Sequence, residues 1–286
     1  MSTPTWRASR ERIDAAGYSG VDVNGDNVRF LDALRKSYGG YAQEVIICGL
    51  MSCRGDAYNP AEALSVDEAL EFHAWQAGRL AGTGVDFLLA ATLPAISEAT
   101  GLAMALAATA KPYMLSFVVR PDGALLDGTP LKSAIAAIDA AVTPRPLAYL
   151  INCTHVSFAA SALMHETNSS TLVRHRIIGL LANTAALSPE ELNDSSSLVE
   201  EDPEIFGQSV AALHRRLGLK ILGDAAVPTT VTSGPWQHSL QFRHDKRILQ
   251  RRGHREHRIT RFSVMFLQPI FDILAWHDIG RLDCGR

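Results

Sequence analysis

The sequence predicts an α/β protein built on a parallel sheet, and three observations carry that expectation. From about residue 44, short apolar or β-branched runs alternate with longer segments of helical period, the rhythm of successive βα units. The apolar runs are nearly continuous, as strands covered on both faces should be. Helix start and stop signals fall between those runs, where crossover helices belong.

The strand candidates are EVIICGLMS (44–52), VDFLLAATL (85–93), YMLSFVV (113–119), LAYLINCT (147–154), RIIGLLAN (176–183) and LKILGDA (219–225). Helix candidates span 66–81, 95–109, 131–142, 158–166 and 202–217. Ser65 or Asp67 opens the first of these, and Asp202-Pro203 opens the last. Gly84 and Gly218 occupy C-cap positions. In the first helix Leu70, Phe72, Gln76 and Leu80 lie on nearby faces, so His73 either meets the sheet or packs in the core.

Six strands in this order suit an open doubly wound sheet or a (β/α)8 TIM-type barrel, and the lack of a GxGxxG turn after the first strand weakens the nucleotide-binding version. A barrel needs eight strands. Residues 1–43 read as helix and loop without a strand, so a barrel of this sequence is expected to be incomplete, lacking its first strands. The last βα unit is expected to be altered as well. Residues 1–223 form the expected barrel-like domain, and 224–286 a divergent tail in which 243–261 carry eight Lys/Arg and three His against two acids. Such a run reads as a solvated segment.

The chain has 286 residues, 47% of them hydrophobic, which supports a large core. A formal net charge of -3 argues against a nucleic-acid partner for the molecule as a whole. No run of about 18 apolar residues suggests a membrane span, and the N-terminus lacks the apolar stretch of a signal peptide. These features point to a cytoplasmic protein. Cys48, Cys53, Cys153 and Cys284 are too scattered for a disulfide scaffold, which leaves them as buried hydrophobes or ligands.

Catalytic groups in barrels gather at the C-terminal ends of strands. The polar residues there are Ser52 to Asp56, Thr92, Glu98 just inside the next helix, Ser116, Asn152 to His155, and Asn183. Cys153 can serve as a histidine-activated nucleophile, as a thiolate metal ligand or as an inert buried residue; strand alternation places it on the same face as His155. Glu98 can neutralise a substrate ammonium or cap its own helix. Arg54 and Asp56 can pair with each other in their loop. A carboxylate site built on Asp56, Asp86 and Glu98 is a further possibility, weakened because Asp86 lies at the wrong end of its strand.

The stretches VDFLLAATLPAISEATGLAMAL, DGTPLKSAIAAID, INCTH, GLLANTAALSPEELND and LHRRLGLKILG, in that order, resemble homocysteine S-methyltransferases over residues 44–223. The resemblance implies a (β/α)8 barrel in which three cysteine thiolates hold zinc, one from the NC element and two from a GGCCGT element. It makes homocysteine and a methyl donor the partners and methionine the product. It also implies Cys153 as a zinc ligand, Glu98 as the group holding the homocysteine amine, and Asn152 and Thr92 as substrate-binding neighbours. Soft thiolates suit zinc, and its open position would take the homocysteine sulfur as a thiolate.

After KILG this chain reads DAAVPTT where the resemblance implies GCCGT, and no cysteine follows until Cys284. A permissible set of codons for DAAVPTTVTSGPWQ spells CCGTDDRHIRAMA when read from its third base. A one-base deletion near codon 224 is the expectation that follows, with the tail as its consequence. At the other end, TWRASRERIDAAG reads as the close of a second βα unit whose beginning is missing. A chain so changed is expected to be inactive or nearly so.

Overall fold

The computed structural model describes residues 1–192, 199 and 201–224. The expected tail, the shifted-frame motif and Cys284 lie outside the described residues. Six strands form one parallel sheet in strict chain order: β1 (Cys48–Ser52), β2 (Phe87–Leu93), β3 (Tyr113–Phe117), β4 (Ala148–His155), β5 (Ile177–Asn183) and β6 (Ile221–Asp224). Every neighbouring pair is parallel, from Cys48 opposite Phe87 to Ala182 opposite Asp224. Sequential order with helical crossovers is the topology of a barrel wall, so the sheet is a six-strand parallel half-barrel.

Before β1 come α1 (Arg10–Ala15) and α2 (Val23–Ser37), and the crossovers are α3 (Val66–Ala81), α4 (Ile96–Ala107), α5 (Leu131–Ala141), α6 (Val156–Met164), α7 (Thr171–Arg176), α8 (Pro189–Leu192) and α9 (Pro203–Leu217). Ser65 is the N-cap of α3 and forms a capping box with Glu68, satisfying two helix-end donors at once. Asp202 caps α9 with Pro203 in its first turn, and Gly218 ends it at a φ of 67°, where a side chain would be strained. α3 closes on Gly82 in right-handed conformation, so the expectation of Gly84 as its cap is corrected by two residues.

Residues 1–43 hold no strand, as expected, but they do touch the sheet: Ser2 forms an isolated parallel bridge with Cys48, and the Thr3 amide donates to the Cys48 carbonyl at 3.0 Å. Thr3 and Thr5 hydroxyls continue the seam, bonding the Leu50 amide and carbonyl at 2.9 and 2.8 Å. The first residues thus lie along β1 in the place of a neighbouring strand, too short and too rich in Pro and Thr to register as an apolar run.

Two cores follow from strand alternation. Side chains such as Met51, Leu88, Leu115, Tyr149 and Ile151 pack against the helices, while Cys48, Phe87, Leu89, Met114 and Leu150 form a second cluster on the face turned away from them. On that second face the alternation runs upward from Met114 to Ser116 and from Leu150 to Asn152. The strands therefore carry apolar residues at mid-height and polar ones at their C-terminal ends.

Candidate functional site

At the C-terminal ends of β2, β3 and β4 one side-chain amide joins three strands. Asn152 Oδ1 accepts from the Thr92 amide at 2.9 Å and from the Ser116 hydroxyl at 2.6 Å. Its Nδ2 donates to Thr92 Oγ1 at 2.7 Å and approaches Cys153 Sγ at 3.2 Å. Asn152 is 4% exposed, so this complete set of partners is what makes a buried amide tolerable.

Thr92 and Cys153 both have left-handed backbones, with φ of 60° and 51°. For a β-branched threonine this is a genuine outlier, held here by the two bonds from Asn152. The twist at Cys153 accompanies a register shift between Asn152 and Thr154 in the β4–β5 pairing. Alternation consequently breaks at the residue on which the pairing of Cys153 with His155 depended. His155 instead caps α6, with Nδ1 at 2.8 Å from Ser157 Oγ and Nε2 at 3.2 Å from Glu201 Oε2. A histidine-activated cysteine is corrected on these grounds.

Cys153 is half-buried, with Thr92 Oγ1 at 3.7 Å, and Tyr58 lies near enough to Cys153 and Asn183 for both to bear on its phenol. Burial first, then the neighbouring Cys153, push the Tyr58 phenol well above its ordinary range. Tyr58 belongs to the loop after β1 and had no signal in the sequence, since one tyrosine in a polar loop has no period or spacing to mark it.

Glu98 is 1% exposed and faces neither solvent nor its own helix end. Oε1 accepts from the Arg54 amide at 2.6 Å and lies 2.9 Å from His73 Nε2, while Oε2 accepts from the Leu64 amide at 3.3 Å. The α4 end is satisfied elsewhere: Asp127 takes the Ile96 amide at 2.7 Å. Burial would raise the Glu98 carboxyl, but the bonds from His73 and the two amides outweigh it and hold it below 4.5. α4 comes close enough for this because of Gly101, where a Cβ would lie 2.1 Å from the Val66 carbonyl oxygen of α3.

The remaining carboxylates are dispersed. Asp56 Oδ1 accepts from the Tyr58 amide at 2.9 Å, and Arg54 pairs with Glu11 at 3.1 Å, so the expected Arg54–Asp56 pair is corrected. Asp86 sits at the opposite end of the sheet, bonded to Arg35 and to the Ile47 amide at 2.9 and 2.7 Å. A carboxylate centre of Asp56, Asp86 and Glu98 is thereby ruled out by distance along the strands.

Residues 1–224 match the family model described as homocysteine S-methyltransferase. The chain belongs to that family. The match takes in the N-terminal 43 residues, which the sequence resemblance had left aside. No curated protein matches the chain. Among solved structures, the metallated form of the homocysteine methyltransferase MmuM from Escherichia coli superposes with a TM-score of 0.56 at 24% identity, covering 64% of this chain and 66% of that one. The oxidised form of the same enzyme gives 0.63 at 21% identity, covering 80% and 75%. At these identities the likeness establishes the fold, and in the first comparison the chain spans just under two thirds of its relative.

A family metal would need several soft ligands around Cys153. Among the described residues no group of three or more His, Cys, Asp or Glu is arranged to hold one. Cys48 and Cys53 are buried thiols, raised by burial to about 11, and neither belongs to such a group. The described residues therefore do not fit a zinc centre, and no chemical step is derived through one.

Proposed function

We propose that this chain is a homocysteine-binding member of its family in which methyl transfer is lost or nearly so. The observation that carries the reading is the place of Cys153, set at the strand ends among Asn152, Thr92 and Tyr58, together with a sequence that reads DAAVPTT after Gly223 where the resemblance implies a cysteine pair. Those neighbours are neutral donors and acceptors suited to a small polar thiol substrate. Methyl transfer is more demanding, because it needs the homocysteine sulfur as a thiolate, and a free thiol near pH 7 is mostly protonated, with a pKa of about 8.5. In the family reading zinc supplies that deprotonation, with the methyl group coming from a sulfonium, quaternary ammonium or folate-type donor.

In this reading Asn152 and Thr92 border the bound homocysteine, Cys153 marks the place of its sulfur, and Glu98 serves the site from behind the loop. Cys48 and Cys53, both buried thiols, suit a reducing cytoplasm. Among the described residues no helix is long and apolar enough to cross a membrane.

The test has two parts. With iodoacetamide in large excess over all thiols, homocysteine is expected to slow alkylation of Cys153 in the purified chain more than an equal concentration of 2-mercaptoethanol does, and metal analysis is expected to find well below one zinc per chain, with no methionine formed from homocysteine and a sulfonium donor. One tightly held zinc per chain, or methionine production, would overturn the loss of activity. A second reading, an active enzyme, is favoured by the shifted-frame CCGT motif. Resequencing the gene from independent DNA decides it, since an extra G at the codons for Gly223 and Asp224 would restore two cysteines.

A further inference from the structure

The loop from Cys53 to Leu64 is fastened at both ends by one buried carboxylate. Glu98 takes the Arg54 amide with Oε1 and the Leu64 amide with Oε2, which are the second and last residues of that loop. His73 holds the same carboxylate from α3. Because an ionised carboxylate can only accept, His73 must carry a proton on Nε2, and its Nδ1 is buried without a partner among the described residues. That unmet polar atom is a cost borne for placing a histidine here.

The interior of the loop has its own brace. Glu62 accepts from the Asp56 amide at 2.9 Å and from Asn59 Nδ2 at 3.0 Å. Arg54 closes the outer side, pairing with Glu11 of α1 and lying 5.5 Å from the Phe72 ring centre. A loop stiff within and tied at its ends moves as one piece, and Tyr58 is carried at its centre toward Cys153.

We propose that Glu98 is a positioning residue: steadied by His73, it clasps both ends of the 53–64 loop and so holds Tyr58 against Cys153, making the loop the cover of the thiol site. This rests on the proposed reading of Cys153 as the centre of the homocysteine site. It differs from a Glu98 that binds the substrate amine directly, because the carboxylate acts through the loop and both its oxygens are engaged by it.

The experiment is carried out on the full chain. Cys153 alkylation by iodoacetamide is followed by peptide mass spectrometry, and limited trypsin cleavage after Arg54 reports the loop separately. Glu98→Ala is expected to raise both rates roughly tenfold, as loss of a charge-assisted clasp should. Glu98→Gln, which keeps one acceptor, is expected to raise them only about threefold. Tyr58→Phe is expected to speed alkylation alone, and to add little in the Glu98→Ala background, because the two act in series.

Unchanged rates in Glu98→Ala would overturn the proposal, as would effects of Glu98→Ala and Tyr58→Phe that simply multiply. If Glu98→Ala does not fold, the isosteric Glu98→Gln decides, and no rise in its cleavage after Arg54 overturns the clasp. Should homocysteine fail to protect Cys153 while Glu98→Ala still frees it, the homocysteine reading falls and the clasp stands. A Glu98→Gln variant that loses homocysteine binding with both rates unchanged would instead return Glu98 to direct contact with substrate.

Discussion

The two ends of the sheet are built on different principles. At the N-terminal ends of the strands polar groups meet as full ion pairs. Arg176 forks onto Asp139 with bonds of 2.9 and 2.7 Å, Tyr149 adds a third at 2.8 Å, and Arg176 also donates to the Leu147 carbonyl at 3.0 Å. Asp86 joins Arg35 and the start of β1 in the same manner. At the C-terminal ends of β2, β3 and β4 the strand residues themselves are neutral, Asn152, Ser116 and Thr92, around a thiol and two left-handed backbones, with the ionised Glu98 set behind the 53–64 loop. One end is tied for stability, and the other keeps a reactive atom half-exposed at the cost of strain.

The strongest way to break this comparison is at the tied end. Asp139→Ala leaves the Arg176 guanidinium and the Tyr149 hydroxyl without their acceptor in a largely buried place. A loss of about 4 kcal/mol in stability is expected, read by urea denaturation. Cys153 alkylation in the folded variant should stay unchanged, because the network lies at the far end of β4. A change in that rate would mean that the two ends are coupled through the strand.

Asn152→Ala attacks the other end and should separate the two readouts differently. It strands the Ser116 hydroxyl and the Thr92 amide and leaves a small cavity, for an expected loss of about 3 kcal/mol. Unlike Asp139→Ala it should also change the Cys153 alkylation rate several-fold, since Thr92 and Cys153 lose the bonds that hold their backbones. An unaltered thiol rate would show that these conformations are set by the chain itself and need no amide.

The contrast also explains what could be read from the sequence. The six strands and most of the crossover helices were legible because apolar runs and caps are local signals: Ser65 with Glu68, and Asp202-Pro203 with Gly218, each act within a few residues. Thr92, Asn152 and Cys153 were legible as polar residues closing apolar strands. Their mutual geometry was not, since positive φ at Cys153 overrides the alternation that had paired it with His155. Tyr58 and the His73–Glu98 contact were hidden for another reason. Both join positions 25 or more residues apart, and the His73–Glu98 contact depends besides on a helix–helix approach at Gly101, a glycine whose place in a helical pattern signals nothing by itself. The bridge from the N-terminus to β1 was not legible because Ser2 to Thr5 meet the sheet largely through backbone and hydroxyl groups.

The smallest expected effect concerns acid. Glu98 is held below 4.5 in the folded chain, so its ionised form contributes stability that is fully present above pH 4.5 and is lost as pH falls through the depressed value. Protonation would turn a carboxylate accepting three bonds into a group with a donor of its own facing the Arg54 and Leu64 amides. That contribution should disappear, with the 53–64 loop released before the sheet unfolds. Trypsin cannot follow this at low pH, but pepsin digestion or hydrogen exchange of the Arg54 and Leu64 amides can. Those two amides are expected to lose protection below pH 4.5 while Leu89 and Leu150 in the strands keep theirs. In Glu98→Gln the transition at the loop should vanish, because nothing there remains to titrate in that range except the more exposed carboxylates. If all four amides lose protection together, the loop is part of the sheet's cooperative unit, and the difference between the two ends is one of chemistry without a difference in local stability.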